Sequence, residues 1–121
     1  MKYMLLICDD EKAWAKLSEA ERKAIYAEYR KFGDDIKAGG NYISGGQLQP
    51  TSAATSVRVR DGKRLITDGP FAETAEVLGG FYLINVENEQ QAVEFAGRHP
   101  GARVGTVEIR PVVEAAGRSE R

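Results

Sequence analysis

The sequence predicts an α+β domain with a ferredoxin-like split βαβ core and an inserted β-hairpin. Three observations carry that expectation. Two helical stretches, each with a capping signal, alternate with strand-like runs. An Asp61-Gly62 pair lies between two further strand-like runs, which is a hairpin signal because both central residues of the favoured turn take positive φ. A continuous apolar run from Leu78 to Val86 reads as a buried interior strand.

The elements follow in order. Lys2 to Cys8 forms strand one, an apolar stretch too short for a secretory core and closed at once by Asp9, Asp10 and Glu11. Residues 10–16 form a short helical turn carrying Trp14. Ser18 and Glu21 have the spacing of a capping box, in which hydroxyl and carboxylate each accept from the other residue's amide. Ile25, Tyr29, Phe32 and Ile36 then recur at helical spacing. Gly39-Gly40 ends that helix, since glycine tolerates a left-handed C-cap. Asn41 to Leu48 reads as strand two with a glycine irregularity, and Gln49 to Ser52 as a connector. Thr55 to Arg60 and Lys63 to Thr67 form the hairpin, and Asp68 to Glu76 a turn-rich loop. Asn88 is positioned to cap a second helix, with Gln91 at the capping-box position and Val93, Phe95 and Ala96 turned inward. His99-Pro100-Gly101 stops it, Val104 to Val113 is the last strand, and 115–121 is a polar tail.

Without the hairpin the order is β-α-β-β-α-β, the ferredoxin-like arrangement. Two helices cover one sheet face and leave the other bare. A bare apolar face is a liability, so a homodimer with a sheet-on-sheet core is expected.

Composition bounds the function. With 121 residues, 42% hydrophobic and 29% charged, the chain suits one domain able to bury a core without metal or disulfide staples. The net charge of −1 and the scattered Lys and Arg argue against a nucleic-acid face. One His and one Cys exclude a His/Cys metal cluster within a chain. No cofactor motif is present: Gly45-Gly46 and Gly79-Gly80 belong to no phosphate-loop pattern and fit strand bulges or close backbone approach. The lone Cys8 points to a reducing cytoplasm and an inert buried thiol, and nothing approaches a membrane span.

The stretches Val57 to Lys63, Thr67-Asp68-Gly69-Pro70-Phe71-Ala72-Glu73-Thr74 and Leu78-Gly79-Gly80-Phe81-Tyr82-Leu83-Ile84 resemble the DGPF-type proteins of the YCII-related superfamily. Met1 to Ile7 and Val107 to Val112 look like that family's first and last strands, so the resemblance covers residues 1–114. It implies a dimeric α/β-barrel and, through gene neighbourhood, an association with extracytoplasmic-function sigma factors. Other members carry a His in the first long helix and a nearby Asp, proposed as an acid/base pair. This chain offers Tyr29 and Ala38 there, so that dyad is absent.

Six residues are candidates for a site. In Asp68-Gly69-Pro70-Phe71, Pro70 fixes its own φ and Gly69 lets the chain bend. Asp68 is suited to an Asx-turn, and Phe71 to burying its ring and pinning the loop. Asp68 alone has a chemical alternative, as a base or acceptor at a cleft rim. His99, at a helix C-terminus, suits capping or a surface position, where the helix dipole favours its protonated form. As a general base it needs an orienting carboxylate, and none is near in sequence. Tyr29 lies on the apolar stripe, where core packing is the default, but it joins Tyr26 and Tyr3 as possible pocket wall. Arg58 and Glu73 matter if they converge with Asp68 on one cavity. The expected function is a small-molecule pocket between sheet and helices, with acid/base chemistry from Asp68 and His99 and ligand contacts from Tyr29, Arg58, Phe71 and Glu73. The alternative is a non-catalytic regulatory or interaction module.

Overall fold

A computed structural model describes residues 1–114, so the expected tail at 115–121 lies outside the described residues. The chain is α+β, with strands β1 (Lys2–Asp9), β2 (Tyr42–Gln47), β3 (Thr55–Arg60), β4 (Lys63–Asp68), β5 (Val77–Asn85) and β6 (Thr106–Pro111). Its helices are α1 (Glu11–Ala15), α2 (Glu19–Ala38), α3 (Glu89–Arg98) and α4 (Gly101–Val104), with a 3₁₀ turn at Thr51–Ala53. Four strands form one antiparallel sheet in the order β2-β5-β1-β6, an arrangement compatible with a ferredoxin-like fold. β3 and β4 form a separate two-stranded sheet.

The helix starts follow from local chemistry. The Ser18 hydroxyl accepts from Glu21 N–H at 3.1 Å and the Glu21 carboxylate accepts from Ser18 N–H at 2.9 Å, a complete capping box. A cap of this kind contributes about 1 kcal/mol. Asn88 caps α3 by accepting from Gln91 N–H. The Gln91 side chain reaches past Asn88 and accepts from Glu87 N–H. At the far end of α2, Gly39 keeps helical angles, and it is Gly40, at φ 77°, that takes the left-handed conformation.

The core sits between one sheet face and α2 and α3. Tyr3, Leu5 and Ile7 of β1, Ile84 and Val86, Phe32 and Ile36, and Ala92, Phe95 and Ala96 form it. Strand alternation puts Tyr3, Leu5 and Ile7 on this face and Met4, Leu6 and Cys8 on the other. The second set is only half-buried, as are Phe81 and Leu83, which pair with Leu6 and Met4.

Four expectations need correction. Val93 is 48% exposed, and Ala92 takes the inward position. The β2 irregularity falls at Ile43, since Tyr42 pairs with Ile84 and Ser44 with Leu83. Gly45 marks a close approach instead, where a Cβ would lie 2.9 Å from the Phe81 carbonyl oxygen. Pro100-Gly101 does not simply stop α3. It opens α4, and the last strand starts only at Thr106. Gly79 is the extra residue of a bulge in β5, because Ile7 pairs with Gly80 and Cys8 with Leu78. Among the described residues, no helix is long and apolar enough to cross a membrane.

Candidate functional site

A cavity of about 830 Å³ opens between α2 and the sheet, within the range of roughly 300–1,000 Å³ typical of small-molecule sites. α2 supplies one wall, with Tyr26, Tyr29, Gly33 and Lys37 at helical spacing. The sheet supplies another through Ile7, Asp9, Gly80 and Tyr82. Trp14 of α1, Thr51 of the 3₁₀ turn and His99 also line it.

The aromatic rings form a connected series. Trp14 and Tyr26 meet edge-on at 5.4 Å, Tyr26 and Tyr29 at 6.0 Å, and Tyr29 lies 4.8 Å from the His99 ring. Phe32 at 4.8 Å and Tyr82 at 5.5 Å enclose the same imidazole edge-on. Such pairs add about 0.5–1.5 kcal/mol each beyond their burial.

His99 is 1% exposed, so the expected surface or dipole-capping role is corrected. Its Nδ1 accepts from Gly101 N–H at 2.9 Å. With Nδ1 an acceptor, the neutral ring carries its proton on Nε2. Burial pushes its pKa down to about 4, because the cation would lose its hydration. At neutral pH this imidazole is therefore a donor and not a base. Gly101 is required for the contact, since a Cβ there would meet His99 Nδ1 at 2.8 Å and Ile7 Cγ2 at 2.9 Å.

Asp9 lines the cavity from β1, and the candidates drawn from sequence omit it. Burial first, then the charges of Glu11, Glu76 and Asp10, raise its pKa. The same charge acts on Tyr29, whose phenol is pushed up to about 12, mainly by burial and next by Asp9. The signal for Asp9 was legible. Tyr3, Leu5 and Ile7 face the core, and the period of two carries that face to residue 9.

Glu11 also lines the cavity. Its carboxylate accepts from Thr51 N–H at 2.8 Å and from the Thr51 hydroxyl at 2.6 Å, a bond spanning 40 residues that ties α1 to the 3₁₀ turn.

The other sequence candidates go elsewhere. Asp68 ends β4, is exposed and does not line the cavity. It therefore shares no cavity with His99. Phe71 is 76% exposed, so its ring does not pin the loop by burial. The Arg58 guanidinium stands 5.9 Å from that ring. Glu73 is exposed in the same loop. The loop is held by other bonds: Gly69 N–H donates to the Ala54 carbonyl at 2.7 Å, and the Ser56 hydroxyl to the Gly69 carbonyl at 2.8 Å. Gly69, at φ 98°, makes the bend. Tyr3 is buried in the core, away from the cavity lining. Cys8 is half-buried on the opposite sheet face, and burial, then the charge of Glu108, raises its pKa. Of the six candidates, the structure brings together His99 and Tyr29. Among the described residues no group of three or more His, Cys, Asp or Glu is placed to hold a metal.

The family model of the YCII-related domain matches residues 1–116. A protein of Rhizobium meliloti (strain 1021), itself described as uncharacterised, is 38% identical over 119 residues, covering 93% of this chain and 92% of its own. The chain belongs to the YCII-related family.

Proposed function

We propose that this chain is a small-molecule-binding protein that performs acid/base chemistry in the cavity between α2 and the sheet. One observation carries the reading: Asp9, Tyr29 and His99 line the same cavity, and their proton affinities are set apart. Asp9 binds a proton more readily than an ordinary carboxylate, so it suits accepting one and handing it back. Tyr29 and neutral His99 hold their protons at neutral pH and suit donating hydrogen bonds to an oxygen on which negative charge develops. The reaction class is proton abstraction beside a carbonyl: the C–H proton passes to Asp9, the electron pair moves to oxygen, and the proton returns at another position. Asp68 has no part in it.

The working unit in this proposal is a homodimer of DGPF type. The half-buried face of Met4, Leu6, Phe81 and Leu83 is left partly open by the described residues, and a second copy of the same sheet suits it. Sedimentation should find a dimer at micromolar concentration, and a monomer there would remove this part. A second reading, an interaction module linked to a sigma factor, draws on the hairpin, where Val57, Val59 and Ile66 are 57%, 59% and 63% exposed.

A thermal-shift screen against small metabolites separates the two, because a ligand that binds only the folded state raises the melting temperature. Hits that vanish in Gly33→Leu support the cavity. A flat response across a broad library transfers the case to the interaction module.

A further inference from the structure

We infer that the cavity's ligand is a flat, conjugated or aromatic acid, an inference that rests on the small-molecule reading above. Three features of the lining point to it.

The first is shape. Gly33 lies mid-helix in α2, where glycine is less favourable than alanine. A Cβ at Gly33 would meet nothing within 4 Å. Helix stability and the chain's own packing both favour a larger residue, so the space is left for something outside the chain. Gly46, Gly79 and Gly80 line the same cavity from the sheet side. The missing side chain at Gly33 thins the helix wall of the gap and admits a flat body.

The second is surface. The gap is flanked by the Trp14–Tyr26–Tyr29–His99 series and by Tyr42 and Tyr82. Ring edges and faces in this arrangement favour a π system over an aliphatic chain.

The third is charge. Arg22 and Arg30 line the cavity from α2 and form no ion pair with a described residue. The outward-facing cations of the same helix are occupied: Lys23 with Glu19 and Lys31 with Asp35. Lys37 lies 4.9 Å from the Tyr42 ring. Of the acidic groups on the cavity, Glu11 is held by Thr51, Asp34 shares the α2 wall, and Asp9 faces the far side from β1. An acid lying in the gap places its carboxylate on one of the two free guanidinium groups. Its conjugated body then extends toward His99 and Tyr29.

The test measures binding of 2-hydroxybenzoate, 1-naphthoate, the amides of both and cyclohexanecarboxylate by titration calorimetry and thermal shift. One of the two aromatic acids should bind at least about tenfold tighter than its own amide, and tighter than cyclohexanecarboxylate. The double variant Arg22→Gln/Arg30→Gln should lose the preference for the acid over the amide while keeping its circular dichroism and melting temperature. Gly33→Ala should melt higher than the wild type yet bind the acid more weakly, and Gly33→Leu should not bind it. Equal binding of acid and amide, equal binding of the saturated acid, or an unimpaired Gly33→Leu overturns the inference. Where a neutral or saturated compound binds as well as the aromatic acids and Gly33→Leu abolishes it, the small-molecule site stands and the assignment of a flat aromatic acid is wrong. Where no compound here or in a broad metabolite library shifts the wild type, both readings fall together.

Discussion

The β3–β4 hairpin with its Asp68-Gly69-Pro70-Phe71 loop, and the cavity around His99, differ in nearly every physical respect. The hairpin strands are exposed almost throughout, their large apolar residues from Leu65 at 47% to Ile66 at 63%, and their pairing is with each other. The cavity is built on the four-stranded sheet and enclosed by half-buried rings, with His99 at 1% exposure. The hairpin loop holds the most recognisable motif in the sequence. The cavity holds Asp9, Tyr29, Tyr82 and His99, whose proton affinities are shifted. A motif whose residues are each explained by turn geometry marks a shape. A site is marked by what burial does to ordinary residues.

The widest separation between the two regions should appear in core truncation. Leu5→Ala removes a side chain that is fully shut from solvent and should cost about 3 kcal/mol or more, measured by urea unfolding. Ile66→Ala, 63% exposed, should change the stability of the isolated chain by less than about 0.5 kcal/mol. A large loss for Ile66→Ala, with a shift of the sedimentation profile to monomer, would instead put the hairpin in the dimer interface.

Next in size is the pH response of His99. Its pKa falls from 6.5 in the unfolded chain to about 4 in the folded one, so the folded state favours the neutral ring. Its contribution is complete above pH 6.5 and is lost as the pH falls toward 4, by up to about 3 kcal/mol. His99→Gln should flatten the stability profile across that window, and an unchanged slope would contradict the buried neutral imidazole. The hairpin contains no histidine and contributes nothing there.

The bond between Glu11 and Thr51 should rank third. Thr51→Val removes the hydroxyl donor at 2.6 Å from a carboxylate and should cost about 1–2 kcal/mol. Hydrogen exchange should quicken in α1 and the 3₁₀ turn and leave the hairpin as it was.

The smallest and sharpest contrast is between two aspartates. The pKa of Asp9 is raised on folding, so its ionised form weakens the fold: its contribution is present below the unfolded pKa and lost as the pH rises through the folded one. Asp9→Asn should therefore raise the melting temperature at pH 7, with the gain shrinking toward acid pH, while abolishing any proton-transfer activity. Asp68→Asn should stay within about 0.5 kcal/mol of the wild type and leave cavity ligands untouched. Loss of ligand affinity in Asp68→Asn would reverse the assignment of the two regions.

Local chemistry made much of this legible in the sequence. The Ser18–Glu21 box and the Asn88 cap are read from residues three positions apart. The interior place of β5 follows from its unbroken apolar run. Where the reading failed, the cause was a contact distant in sequence or a turn of unusual continuation. α4 is hidden in the sequence because Pro100-Gly101 looks like a stop, while proline also suits the entry to a helix. The neighbours of His99 in sequence, a helix end and a proline, point to a surface role. Its neighbours in space are Tyr29, Phe32 and Tyr82, between 17 and 70 positions away.

The sequence by itself determined the family, the alternation of helix and strand and the helix caps, because these depend on patterns within a few residues of one another. Only the tertiary structure decided which residues share the cavity and what their protons do there. Burial and the meeting of β1, α2 and the end of α3 act on side chains that are far apart along the chain. They move Asp9 into the site and leave Asp68 outside it, a distinction that two aspartates carry nowhere in their own identity.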